Sequence, residues 1–217
     1  ADPLAGLPRE RLHRVQARRV VVATGATEQP LLFAGNDKPG VMLAGAVAQY
    51  LHRYAVLPGR QAVVATSCDT AYASAIALAR AGAQVRLVDL RPEVAPALAD
   101  AARAAGVDLR VGWAVTQVRG WPQARSCMLA PYDRVIGGVL VQAGESVAVD
   151  LVAMCGGWSP DARLALQPRD GGVGPLEVAA GCAVVGAAAG TQTWQAALRD
   201  GWATAGAVAA ACGHTPA

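Results

Sequence analysis

Five cysteines, three histidines and a few carboxylates at strand ends are the groups of this 217-residue sequence that could do chemistry. Cys68, Cys127, Cys155, Cys182 and Cys212 are odd in number, widely spaced and without a CxxC pair. That pattern fits neither a disulfide framework nor a zinc or iron–sulfur site, so reduced, cytoplasmic thiols are the reading. His13, His52 and His214 stand far apart and outside any HExxH spacing, and each reads as a surface or packing histidine. With no Ser–His–Asp ordering, carboxylate pair or Walker loop, the sequence offers no catalytic residue and no metal ligand.

Small-residue turns are the remaining chemical signal. A dinucleotide-binding βαβ unit needs glycines at its first turn, because only a bare backbone can bend tightly and bring its N–H groups to a pyrophosphate. After Val63-Val64-Ala65 that register reads Thr66-Ser67-Cys68-Asp69-Thr70-Ala71, so both approach glycines are missing and Asp69 adds a negative charge. The turn argues against nucleotide binding, and Asp69 or Thr70 reads as a helix N-cap. Asp89 follows about 20 residues on, where a ribose-binding carboxylate belongs, but without the glycines it is a weak signal. Thr24-Gly25, Cys155-Gly156-Gly157 and Gly186-Ala187-Ala188-Ala189-Gly190-Thr191 also present small residues at strand ends. Backbone could approach a cofactor there, although tight packing would select the same residues.

The elements that must hold these turns alternate strand and helix. Arg18–Ala26 reads as a buried strand into a turn, Gln29–Gly40 as a loop and Val41–Tyr54 as a helix. Gln61–Thr66, Asp69–Ala81 and Gln84–Leu90 form a βαβ unit, followed by a helix over Pro92–Ala105 and a strand at Val107–Val111. Segments at Val115–Val118, Arg134–Gln142 and Ser146–Val149 alternate as an antiparallel meander would. Asp150–Cys155 and Gly181–Gly186 are strands again, and Trp194–Cys212 is a helix. The pattern predicts an α/β protein with a largely parallel central sheet.

Composition sets the outer bounds. The chain is 53% hydrophobic and 16% charged, against about 25% charged in ordinary soluble domains. Such a chain leans on partners or has been cut from something larger. A net charge of +3 with scattered arginines gives no stripe for nucleic acid. The uncharged stretch Val178–Leu198 is broken by glycines and glutamines, so no membrane span is predicted. The start, Ala1-Asp2-Pro3-Leu4, has no signal-peptide pattern and reads as mid-chain sequence.

In order, the pieces are a strand ending Ala23-Thr24-Gly25, a loop running Phe33-Ala34-Gly35-Asn36-Asp37-Lys38-Pro39-Gly40-Val41-Met42-Leu43-Ala44-Gly45-Ala46-Val47, and a glycine-poor βαβ unit. A meander, Gly156-Gly157-Trp158-Ser159-Pro160 and Gly186–Thr191 follow. Over nearly its whole length the chain resembles the alpha subunit of heterotetrameric sarcosine oxidase, most specifically in the Phe33–Val47 block. Thr27 and Gln29 depart from it, standing where relatives tend to have His and Arg.

The resemblance implies a glutathione-reductase-like FAD/NAD(P)-binding fold. Residues 1–34 and 161–217 would be a partial outer dinucleotide-binding domain, and 35–160 an inserted NAD(P)-binding-like domain with a glycine-poor turn. It implies NAD or FAD in the outer domain, FMN at a subunit interface, and a hetero-oligomer with a beta-type flavoprotein subunit and smaller subunits. Thr24, Gly25, Gly186, Ala187 and Thr191 are the cofactor-binding candidates it carries over. A first βαβ unit would precede residue 1, and a folate-binding, aminomethyltransferase-like domain would follow residue 217. The whole enzyme would oxidise sarcosine to glycine, formaldehyde and hydrogen peroxide, with this part serving cofactor positioning and assembly. The alternatives are an independent FAD/NAD(P)-dependent oxidoreductase subunit of the opine oxidase or hydrogen-cyanide synthase type, or a non-catalytic scaffold.

Overall fold

Residues 12–133, 135, 137–168, 176–178 and 180–214 are described by a computed structural model. In chain order the elements are β1 (Val20–Val22), β2 (Ala26–Glu28), β3 (Val41–Leu43), α1 (Ala44–Tyr54), β4 (Gln61–Thr66), α2 (Thr70–Arg80), β5 (Gln84–Asp89) and α3 (Pro96–Ala104). Next come β6 (Asp108–Val111), β7 (Trp113–Arg119), β8 (Ser126–Asp133), β9 (Gly138–Val139), β10 (Glu145–Ala148), β11 (Leu151–Cys155) and β12 (Trp158–Pro160). The last are β13 (Leu166–Pro168), β14 (Leu176–Val178), β15 (Cys182–Val184) and α4 (Trp194–Ala211). They fall into two compact units, one of residues 1–26 and 160–217, the other of residues 27–159.

The 27–159 unit is a three-layer sandwich around a five-stranded parallel sheet, ordered β3-β11-β4-β5-β6. Strand side chains alternate between faces. Ala62, Val64, Val85, Leu87, Leu151 and Ala153 face α1, α2 and α3, where Val47, Tyr72, Leu78 and Ala102 are buried. Val63, Ala65, Val88, Val152 and Met154 face the other way, onto Val115 and Val118 of β7 and Cys127 and Leu129 of β8. Burial on both faces explains why β4 and β11 read as continuous apolar runs rather than alternating ones. The antiparallel layer is ordered β10-β8-β7, with β9 on β8.

Several elements differ from the sequence reading. Val41–Leu43 is a strand rather than the first turn of a helix, because β11 offers a free edge and Val41, Met42 and Leu43 pair with Val152, Ala153 and Met154. The helix read from Pro92 starts at Pro96. A proline forces the residue before it into extended geometry, and Ala95 sits at φ −54°, ψ 127°. The central meander strand, β8, is absent from the sequence reading, since Pro131 and a run of apolar residues hide its period of two. Its pairing with both β7 and β10 makes it the axis of that layer. In the expected strand Arg134–Gln142 the described residues form only β9 and a 3-10 turn at Val141–Ala143; Arg134 and Ile136 lie outside the described residues.

In the other unit β1 and β15 pair in parallel, Val20 to Cys182 and Val22 to Val184, while β13 and β14 form a short antiparallel pair. β2 and β12 pair with each other where the chain runs from one unit into the other.

Candidate functional site

In doubly wound folds ligands sit outside the carboxyl ends of the parallel strands, where helix N-termini point. In the 27–159 unit that place is the turn from β4 into α2, beside the ends of β11 and β5. Its residues are held by one another. The Cys68 N–H donates to Thr66 Oγ1 at 3.0 Å, and the same oxygen lies 2.9 Å from the Cys68 carbonyl and 3.2 Å from that of Cys155. Asp69 occupies the N-cap position but makes no capping hydrogen bond; its carboxylate accepts instead from Arg91 Nη1 at 2.7 Å. The expected cap is therefore positional only, because a guanidinium outcompetes a backbone N–H for a carboxylate.

Asp89 ends β5 and is fully buried. Arg91 donates to it from its backbone N–H, Nε and Nη2 at 2.9, 3.1 and 2.8 Å, and the Tyr72 hydroxyl donates at 2.9 Å. Both carboxylate oxygens are taken, which leaves no free acceptor aimed outward for a ribose hydroxyl. Burial first, and then the Asp89 hydrogen bond, push the Tyr72 phenol above its ordinary range. The hydrogen bond to Asp89 holds Arg91 firmly protonated. With Cys68 and Asp69 side chains at the approach to α2 and Asp89 closed, this turn does not fit a dinucleotide pyrophosphate.

The start of α1 is occupied as well. Glu28, buried on β2, accepts from the Gly45 N–H at 2.9 Å, placing a carboxylate on the positive end of that helix. A side chain at Gly45 would put its Cβ 2.6 Å from that carboxylate oxygen, so glycine is what admits Glu28. Close by, Trp158 Nε1 donates to Thr70 Oγ1 at 2.9 Å, and Cys68 Sγ lies 3.3 Å from Cys155 Sγ. This cysteine contact is invisible in the sequence, where 87 positions separate the two residues. Only the parallel pairing of β4 with β11, Thr66 opposite Cys155, brings them together. An apolar cleft of about 100 Å³ opens beside the turn, lined by Leu31, Phe33, Thr66, Val88 and Trp113.

The other five candidates lie in the 1–26 and 160–217 unit. Thr24 is exposed and donates its hydroxyl to the Asp161 carbonyl, while the Asp161 N–H returns a bond to the Gly25 carbonyl at 2.9 Å. Gly25 has φ +83° with nothing near its missing side chain, so conformation demands glycine there. Gly186 to Ala189 form a 3-10 turn. The Gly186 N–H donates to Asp200 of α4 at 2.6 Å, and the Thr191 N–H donates back to the Gly186 carbonyl at 3.1 Å. α4 begins at Trp194, capped by Thr193, whose hydroxyl accepts from the Ala196 N–H at 3.3 Å. The turn after β15 is thus separate from the helix N-terminus, and one of its N–H groups already has an anionic partner.

A family model described as pyridine nucleotide-disulphide oxidoreductase matches residues 5–189. The chain belongs to that family. Members of the pyridine nucleotide-disulphide oxidoreductase family share the FAD/NAD(P)-binding fold, and thioredoxin reductase of T. acidophilum superposes with a TM-score of 0.68 at 15% identity, over 90% of this chain and 66% of that one. Histamine dehydrogenase from Rhizobium sp. 4-9 superposes with a TM-score of 0.56 at 19% identity, over 84% of this chain and 29% of its own. In sequence the chain is 39% identical over 219 residues to sarcosine oxidase subunit alpha of Rhizobium meliloti (strain 1021), over 95% of this chain and 20% of that protein. It is 33% identical to the subunit of the same name from Corynebacterium sp. (strain U-96), over 96% of this chain and 22% of that protein. It therefore spans about a fifth of the length of these curated relatives.

Proposed function

We propose that this chain is part of an alpha-type subunit of a sarcosine oxidase and serves cofactor positioning and assembly rather than bond breaking. The observation that carries the reading is the 39% identity to sarcosine oxidase subunit alpha along 95% of the chain. The self-occupied turns of the 27–159 unit support the division of labour. A site whose acceptors are spent on Arg91 and Tyr72 stabilises the fold instead of holding a substrate. On this reading residues 1–34 and 161–217 form a partial outer dinucleotide-binding domain and 35–160 an inserted one. Thr24, Gly25, Gly186, Ala187 and Thr191 would line the outer domain's NAD or FAD, which supplies electron-transfer chemistry when bound. FMN would sit at the interface with a beta-type flavoprotein subunit that performs the amine oxidation.

The exposed apolar surface of α4 supports assembly: Trp194, Leu198 and Trp202 recur every four residues and are 73%, 55% and 78% exposed. Coexpression with a beta-type flavoprotein subunit is the test. The expected result is a complex that releases hydrogen peroxide when given sarcosine, and absence of association would overturn it. The filled β4–α2 turn favours a second reading, a scaffold that binds no cofactor. Calorimetric titration with NAD and with FAD separates the two, since heat of binding from either nucleotide excludes the scaffold.

A further inference from the structure

The outward face of α1 and α2 takes no part in the site described above. Both helices follow parallel strands, so they run in one direction, and their last turns, with His52 and Arg53 on α1 and Arg80 on α2, lie at the same end of the unit. Between them runs a groove of about 620 Å³, lined by Leu51, His52, Ala73, Ile76, Ala77 and Arg80. Ala73 and Ala77 are one turn apart on α2, and side chains this small let a second helix approach closely. Tyr50 and Tyr54 are exposed on α1 with ring centroids 6.0 Å apart, and the Arg53 guanidinium lies 5.8 Å from the centre of the Tyr54 ring. The charge is one-sided. Neither helix carries an Asp or Glu, and between Asp37 and Asp89 the one acidic residue, Asp69, is already paired with Arg91. Arg86, Arg91, Arg103 and Arg110 of this unit have carboxylate partners, whereas Arg53 and Arg80 have none among the described residues. The negative ends of the helices account for a basic residue in each last turn, but not for exposed tyrosines or for the lack of any acid beside them.

We propose that the α1–α2 groove docks an acidic amphipathic helix of a partner protein. A helix laid in the groove would set an apolar stripe over Leu51, Ala73, Ile76 and Ala77 and bring Asp or Glu side chains to Arg80 and Arg53. Tyrosine and arginine are the residue types enriched where binding energy concentrates. The Tyr50–Tyr54–Arg53 stack holds three of them in place before a partner arrives, which lowers the entropy lost on docking. The two unpaired guanidiniums decide the choice of partner: an acidic helix gains charge-assisted hydrogen bonds, and a basic one meets like charge. Nucleic acid fits less well, since an apolar groove with two arginines gives a phosphate backbone few contacts.

The probes are two synthetic helical peptides with the same alanine and leucine stripe, one flanked by glutamates and the other by lysines, and an oligothymidylate. Each is titrated into the full chain and followed by fluorescence anisotropy. The glutamate peptide should bind, more weakly as salt is raised, and the lysine peptide should not. Hydrogen exchange with the glutamate peptide bound should slow on α1 and α2. Arg53→Glu with Arg80→Glu should lose at least tenfold for the glutamate peptide and gain affinity for the lysine peptide. Arg119→Glu with Arg125→Glu makes the same change of charge on exposed residues of the other layer and should leave both affinities as in the wild type. Ala73→Trp fills the groove without touching its charge and should also weaken the glutamate peptide at least tenfold, which keeps the test decisive if the charge-reversed chain fails to fold. Binding of neither peptide, equal binding of both, tighter binding of the oligothymidylate, slowed exchange elsewhere than on α1 and α2, or a dimer of this chain that Ala73→Trp dissociates would each overturn the proposal.

Discussion

Asp89 is a buried carboxylate whose charge is tolerable only because three donors of Arg91 and the Tyr72 hydroxyl surround it. Removing one member of such a group costs more than the bond is worth, since the remaining charge stays desolvated. Arg91→Ala is expected to lose about 3 kcal/mol in urea unfolding. Tyr72→Phe should lose about 1.5–3 kcal/mol at neutral pH, the range for hydrogen bonds to charged groups. Its pH dependence has a definite sign. Tyr72 ionises above its ordinary 10.0 in the fold, so its stabilisation is complete below pH 10 and falls as pH rises beyond that value. Unfolding curves taken on either side of pH 10 should show a smaller alkaline loss in Tyr72→Phe than in the wild type, with Asp89, Arg91 and Asp69 the charged groups facing the phenol; the loss that remains comes from the buried Cys127 and Cys155 thiols, which the fold also holds protonated. Asp89 was recognisable in the sequence as the end of β5, but its partner Tyr72 was not. A tyrosine on an alanine-rich helix carries no mark of which strand end it reaches.

At the level of elements, the parallel sheet is tied at its amino ends by Asp150. Its carboxylate accepts from the Arg60 N–H at 2.9 and 3.0 Å and from the Gln61 N–H at 2.8 Å, fixing the start of β4 against the start of β11. Asp150→Ala should cost about 1.5–3 kcal/mol in urea unfolding, whereas a substitution at exposed Asp100 on α3 should cost less than about 0.5 kcal/mol. Long elements with strong periodicity were legible: β4 and α2 came out within a residue of their bounds. β3 and β8 were not. Three apolar residues fit either period, and β8 owes its existence to two neighbours rather than to its own alternation. α3 begins where Pro96 permits, four residues after the periodic pattern suggests.

For the whole molecule, low charge and high hydropathy fit either a chain that leans on partners or one cut from something larger. α4 has no buried residue among its 18 and exposes two tryptophans. Trp194→Ser with Trp202→Ser is therefore expected to weaken capture by a beta-type subunit at least tenfold in a titrated pull-down, with helical circular dichroism unchanged. No helix among the described residues is long and apolar enough to cross a membrane. The sequence by itself determined the α/β class, the glycine-poor turn and the family likeness, because these rest on local periodicity and on residues adjacent in the chain. Only the tertiary structure decided that Asp89 is closed by Tyr72 and Arg91, that Glu28 occupies the start of α1, and that Cys68 meets Cys155. Tyr72 and Asp89 are 17 positions apart, Glu28 and Gly45 are 17 apart, and Cys68 and Cys155 are 87 apart; for Tyr72–Asp89 and Cys68–Cys155 it is the order of the parallel strands that brings them together. Strand order in a sheet is set by which apolar faces can be buried together, a property of all the elements at once rather than of any one segment.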